Sequence, residues 1–269
     1  MDEYKQISSL QNALVKKILL LKDKSRERKK SGLFVIEGLR ELQLALKGNY
    51  KIRTLLFHEE LIASEIISKL ALESQNTELI SLSKAVYQKL AYRETTEGII
   101  AVVESKNHGL STLNFNKKNP LILVAEAPEK PGNIGAMLRT ADAANIDAVI
   151  IADLKGDLYN PNVIRSSVGC VFTNTIVTAT SEEVIAFLKN KNISIYTASL
   201  QASKNYLDID FSGASAIVMG TESTGLTPIW TNNTDQNIII PMSGQIDSMN
   251  VSVSAAILIF EAKRQRKLN

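Results

Sequence analysis

The sequence predicts an α/β protein in two parts, each alternating short strands with helices. Three observations carry this. Apolar runs alternate with helical-period stretches from residue 33 to 103, and a second alternation starts at Pro120 and continues to the end. Between them, residues 105–118 carry His108, Gly109 and a Lys117–Lys118 pair with little periodic apolar content, as a connector does. The expected division is therefore a domain over 1–104, a linker over 105–118 and a second domain over 119–269.

In the first part, strands are expected at 33–36, 55–57, 79–82 and 99–103, with helices at 39–46, 61–72 and 85–90 between them. In the second, strands fall at 121–125, 148–152, 175–178, 194–198, 216–219 and 238–240. Helices at 133–144, 162–168, 182–189 and 250–267 fill the gaps, an order that argues for a mostly parallel sheet.

With 269 residues, 45% of them hydrophobic and 22% charged, the chain has the make-up of a globular protein that buries its own core. Its 13 Gly and 6 Pro exclude collagen-like or low-complexity character. Cys170, the sole cysteine, closes no intrachain disulfide and builds no thiolate cage, so no metal is expected and a reducing compartment fits. Residues 1–17 mix Asp2, Glu3, Lys5, Lys16 and Lys17 without a long apolar core, so no secretory signal is expected. The apolar stretch 251–260 is interrupted by Ser252 and Ser254 and is too short to span a bilayer, which makes the cytoplasm the default.

The net charge of +3 is unevenly spread: residues 1–117 hold 19 basic against 14 acidic side chains, and 118–269 hold 12 against 14. Within the first part, Lys16, Lys17, Lys22, Lys24, Arg26, Arg28, Lys29 and Lys30 face only Asp23 and Glu27. Such a run attracts a polyanion, although a solvated helix face has the same composition.

Three glycine-marked loops in the second part follow predicted strands, where open α/β sheets bind ligands. The first, EAPEKPGNIGAMLR, begins at Glu126. Pro131 and Gly132 set a turn, Asn133 is a candidate helix cap, and Arg139 lies six residues further on, available to an anion or a ribose. The second, MGTESTG, places Glu222 between Gly220 and Gly225; a pair with Arg139, a metal contact and a plain exposed acid are all compatible with it. The third, IPMSGQIDSMN, runs from Ile240 to Asn250 before an apolar helix, for which Ser248 or Asn250 supplies the cap. Lys263, Arg264, Arg266 and Lys267 suit the negative end of that helix. Neither a Walker lysine loop nor a G-x-G-x-x-G fingerprint is present. His58 and His108 have no partner at metal-ligand spacing, and Cys170 and Trp230 read as packing residues.

Taken in this order, PGNIGAMLRTADA, MGTESTG and IPMSGQIDSMNVSVSAAILIFEAKRQR resemble the three motifs of the SpoU, or TrmH-like, family of RNA ribose methyltransferases within the SPOUT class. NPNVIRSSVGC resembles the segment that connects the first two, and FVIEGLREL is similar to the family's small substrate-binding domain. Asn145 and Met249 depart mildly, standing where Gly and Leu are usual. Asn also tolerates a left-handed cap, and Met nearly conserves the volume of Leu.

The resemblance implies a trefoil-knotted C-terminal methyltransferase domain after a small α/β RNA-binding domain, and a homodimer with its site beside the subunit interface. It implies S-adenosylmethionine as cofactor, contacted by Gly220, Ile240 and Met249, and methyl transfer to a ribose 2'-hydroxyl in ribosomal or transfer RNA. Asn133, Arg139, Glu222, Ser248 and Asn250 match the polar motif positions around the reacting centre. The alternative is a catalytically silent RNA-binding or ribosome-assembly protein on the same fold.

Overall fold

The computed structural model describes residues 4–74, 76–92, 97–115, 117–201 and 203–266. Two compact units divide it: one comprises Met1–Lys106 with Asp157–Thr173, the other Asn107–Gly156 with Asn174–Asn269.

The first unit is a five-stranded sheet with helices against it. Its elements are β1 (Lys5–Ile7), α1 (Ala13–Asp23), α2 (Ser25–Ser31), β2 (Leu33–Glu37), α3 (Leu39–Lys47), β3 (Ile52–Phe57), α4 (Ser64–Glu73), β4 (Glu78–Leu82), α5 (Lys84–Leu90) and β5 (Ile99–Glu104). The strand order is β1-β4-β3-β5-β2, and β5 runs antiparallel to both neighbours. Alternation along the chain had located the elements from β2 to β5, not β1, α1 or α2, and carries no information on strand direction.

The basic run of this unit forms α1 and α2. Val15, Ile18 and Leu21 recur at helical spacing and fill the core beside Val35, Leu56 and Ile80. Six of the eight cations are exposed, but Lys22 is half-buried and Arg28 buried. Arg28 donates to Leu21 and Lys22 carbonyls and forks onto Asp157 at 3.0 and 2.8 Å. The run is thus not one solvated face.

Asp157 opens the segment that joins this unit from later in the chain. The segment comprises a short α7 (Pro161–Ser166) and a 3-10 turn, Cys170–Phe172. Tyr159 stacks on Phe34 at 4.1 Å between ring centroids, and Phe172 packs edge-on to Tyr50 at 5.1 Å. Sequence order had placed this segment in the second domain; its aromatic residues and its buried aspartate take it to the first unit.

The second unit is a seven-stranded sheet of order β10-β12-β9-β11-β6-β7-β8 in which every pairing is parallel. The strands are β6 (Leu121–Glu126), β7 (Ala148–Ala152), β8 (Ile176–Ala179), β9 (Ser194–Ala198), β10 (Lys204–Asn205), β11 (Ser215–Met219) and β12 (Gln236–Ile239). Helices α6 (Pro131–Ala144), α8 (Ser181–Asn190), α9 (Pro228–Thr231) and α10 (Val251–Gln265) cover it, and α10 packs on α6. β6, β7 and β11 are buried along their length, the continuous apolar pattern of a parallel sheet covered on both faces.

Residues of the expected linker pack here: Leu110, Leu113 and Phe115 lie on the core formed by Ile122, Val124 and Trp230. Asn145 ends α6 at φ 46°, the left-handed cap that the sequence indicated. Trp230 is buried and donates to Ser181 at 2.9 Å, and buried His58 meets the Leu82 carbonyl through Nδ1 at 2.9 Å. Lys267 lies outside the described residues, as do Asp2 and Glu3. No helix among the described residues is long and apolar enough to cross a membrane.

Candidate active site

The second and third glycine-marked loops leave the ends of β11 and β12, and with the turn after β9 they line a cleft of about 880 Å³. This is the carboxyl edge of the parallel sheet, where main-chain groups are not consumed by strand pairing. Gly220, Glu222, Ile240, Ser248, Met249 and Asn250 all line it.

The first loop reaches this site through Asn133. Pro131 occupies the first turn of α6, where its missing N–H costs nothing, and Lys130 takes the cap position without a side-chain bond. Asn133 therefore does not cap the helix, contrary to expectation. It sits in the first turn, buried, and its Nδ2 donates to Glu222 Oε1. Its Oδ1 accepts from Asn250 Nδ2 at 3.1 Å. Asn250 Oδ1 in turn caps α10, accepting from the Ser252 amide at 2.9 Å and the Ser252 hydroxyl at 2.6 Å. Three loops far apart in sequence are joined by one hydrogen-bonded series.

Glu222 Oε2 is buried and has no hydrogen-bond partner among the described residues. A buried acceptor left unmade costs about 1–3 kcal/mol. A pair between Glu222 and Arg139, one of the three roles compatible with the sequence, is not formed among the described residues. Arg139 is exposed, has no partner among the described residues and is absent from the cleft wall. Six residues along an α-helix turn a side chain roughly 120° away from the starting face, so Asn133 and Arg139 cannot share one.

Gly220 acts differently from a simple flexible hinge. A Cβ there would meet the Gly225 carbonyl oxygen at 2.6 Å and would run into the Gly225 carbonyl carbon. The close approach is made by the loop's own backbone: the Thr221 and Gly225 amides each donate to the other's carbonyl, at 3.1 and 3.2 Å. Gly225 adopts φ 71°, which lets the loop close. Ile240 and Met249 are half-buried, whereas Ser248 is exposed and unbonded among the described residues.

Sequence reasoning assigned no role to Glu126. Buried at the end of β6, it accepts from the Thr227 amide at 2.9 Å and from the Thr227 hydroxyl, fixing the chain just after the second loop. A carboxylate ending the otherwise apolar run LILVAE was the available signal. Ser199 and Gln201, after β9, also line the cleft; only the strand order places them beside β12.

Comparison with known proteins shows the family of the chain. The model of the SpoU rRNA Methylase family matches residues 120–260, just over half of the chain. The chain belongs to this family. A second model, the MRM3-like substrate binding domain, matches residues 12–101. Among relatives of this SpoU member, the 23S rRNA (guanosine(2553)-2'-O)-methyltransferase RlmP of Bacillus subtilis (strain 168) is 32% identical over 259 residues, covering 96% of this chain and 99% of that one. The crystal structure of an RNA 2'-O ribose methyltransferase is 36% identical with a TM-score of 0.81, covering 97% of this chain and 99% of the other. The SpoU methyltransferase AviRb from Streptomyces viridochromogenes, solved in complex with AdoMet, is 28% identical with a TM-score of 0.86, covering 95% of this chain and 98% of AviRb.

Proposed function

We propose that the protein is an S-adenosylmethionine-dependent methyltransferase acting on a ribose 2'-hydroxyl of ribosomal RNA. The observation that carries this reading is the Glu222–Asn133–Asn250 series, in which Asn133 bonds both partners and so ties all three motif loops together beside one cleft. The residues present fit the cofactor. Met219, Ile240, Met242 and Met249 offer apolar and thioether surface to an adenine ring, and the buried Glu222 Oε2, without a partner among the described residues, is an acceptor for a donor at this cleft. Gly220, Ile240 and Met249 are the proposed cofactor contacts.

S-adenosylmethionine supplies a methyl group made electrophilic by its sulfonium. Bound there, it would supply that methyl group to the ribose oxygen, whose hydroxyl proton would leave to water or phosphate. Arg139 is not the base, because a guanidinium stays protonated in proteins. Its proposed work is to hold the target phosphate or the developing alkoxide by a fixed positive fork. Glu222 and Asn250 orient the ribose, Asn133 fixes both, and Ser248 adds a hydroxyl at the cleft edge. The proposal includes a homodimer with its site beside the subunit interface, as the resemblance to the family implies.

The same reading assigns RNA binding to residues 1–104, a linker to 105–118 and methyl transfer to 119–269, with a trefoil knot in the last and the cytoplasm as the compartment. The test pairs calorimetry of S-adenosylmethionine binding with transfer of labelled methyl groups to unmodified ribosomal RNA. Saturable cofactor binding and label in alkali-resistant dinucleotides are expected. Absence of both leaves the silent RNA-binding reading on this fold.

A further inference from the structure

A second cavity, of about 270 Å³, lies wholly within the first unit. Its wall combines an aromatic ring with cations and carboxylates. Tyr92 is 55% exposed, the Arg165 guanidinium carbon stands 4.5 Å from its ring centroid, and Lys22 Nζ stands 5.6 Å from it. Glu37 takes the Tyr92 amide on both carboxylate oxygens, at 2.9 and 2.8 Å, and lies 3.6 Å from Lys22. The backbone carrying the ring is therefore held in place while the ring itself faces solvent. Arg165 is steadied by Asn162 at 2.8 Å. It reaches this wall because Asp157–Thr173 joins the first unit.

The remaining groups define the ligand chemistry. Arg40, the second residue of α3, is exposed and has no partner among the described residues, so it is free to meet a phosphate. Glu41 and Glu97 also line the cavity, and Glu97 accepts from the Leu39 amide. Gly38, at φ 106°, permits this arrangement, since a Cβ there would lie 2.6 Å from Glu41 Oε2. Carboxylates oppose a site for phosphate alone but accept the N–H groups on the edge of a nucleobase. An aromatic face with a guanidinium over it is a stacking platform, and the cavity is sized for one nucleoside rather than a duplex groove.

We propose that this cavity receives one unpaired nucleotide of the RNA, its base stacking at Tyr92 and Arg165 and its phosphate meeting Arg40. The inference rests on the reading of the protein as an RNA methyltransferase and adds a base-reading subsite remote in sequence from the three motif loops.

The test measures, with the full chain, the affinity for a fluorescein-labelled single-stranded RNA of mixed sequence and for the blunt duplex of the same sequence. Tyr92→Ala should weaken single-strand binding roughly tenfold or more and leave duplex binding unchanged, with Tyr92→Phe equal to wild type. Arg165→Ala, at an exposed side chain, should act in the same direction as Tyr92→Ala. Arg40→Ala should lower the salt slope for the single strand by about 0.7. Wild-type single-strand affinity in both Tyr92→Ala and Arg165→Ala, or equal losses on strand and duplex, overturns the proposal. Calorimetry of S-adenosylmethionine on the same proteins separates the two readings. A Tyr92 dependence without cofactor binding sinks methyl transfer and keeps the subsite, and cofactor binding without a Tyr92 dependence does the reverse.

Discussion

The two units build concave sites in opposite ways. In the second, the cleft is made by loops at the ends of parallel strands, and its shape depends on backbone closure at Gly220 and on one hydrogen-bonded series through Asn133, Glu222 and Asn250. In the first, the cavity is made by charged and aromatic side chains on or beside regular elements, with Arg165 delivered by a segment from elsewhere in the chain. A loop-built site loses function when a backbone atom moves. A side-chain site loses it when one group is removed, and the frame survives.

The largest expected effect tests what attaches the late segment to the first unit. Arg28→Ala leaves Asp157 buried without its fork, in a pair whose side chains are only 4% and 9% exposed. Stability should fall by about 3–5 kcal/mol in denaturant titration, the range for removing one partner of a buried ion pair. A loss near zero would mean that the aromatic packing of Tyr159 and Phe172 holds the segment alone.

Next is Arg139→Lys, which keeps the charge and removes the fork. Turnover should drop by on the order of a hundredfold, with cofactor affinity and melting temperature close to wild type, because the side chain is exposed and unbonded. Wild-type turnover would put recognition geometry elsewhere.

Gly220→Ala sharpens the contrast between backbone and side-chain sites. The added methyl group meets Gly225 main chain rather than open cleft, so overpacking should cost about 1–3 kcal/mol of stability. Cofactor affinity measured by calorimetry should fall with it. Normal affinity at reduced stability would show that loop closure matters to folding and not to binding. The smallest effect belongs to Asn145→Ala, which forces a Cβ without a polar side chain into the left-handed cap at φ 46°. A loss of about 1 kcal/mol, with no change in turnover, is expected in thermal unfolding.

Much of the fold was legible because periodicity is local. The run LILVAE reads as a buried strand before any neighbour is known, and the helical spacing of 182–189 located α8, whose reciprocal Thr180–Glu183 capping box the structure adds. The motif loops were legible for the same reason, since glycine and proline mark turns wherever they occur. Asn133 was misread as a cap because its bonding partners, Glu222 and Asn250, are 89 and 117 residues away. Glu126 was passed over because its partner Thr227 lies beyond two further motif segments. The basic run looked uniform because nothing in it distinguishes Arg28, which turns inward to Asp157, from the exposed lysines on either side.

The sequence by itself determined where most strands, helices and turns fall, since these follow from the spacing of apolar residues and from the backbone chemistry of glycine, proline and asparagine; it did not locate the short β1, β10 and α9. It also determined, through three ordered motifs, the family to which the chain belongs. Only the tertiary structure decided that β5 runs antiparallel, that Asp157–Thr173 packs with the first unit, that Asn133 bridges Glu222 and Asn250, and that Arg139 stands apart from them. The reason is physical: strand direction, buried ion pairs and hydrogen bonds between loops are fixed by which surfaces meet, and no residue's immediate neighbours in sequence carry that information.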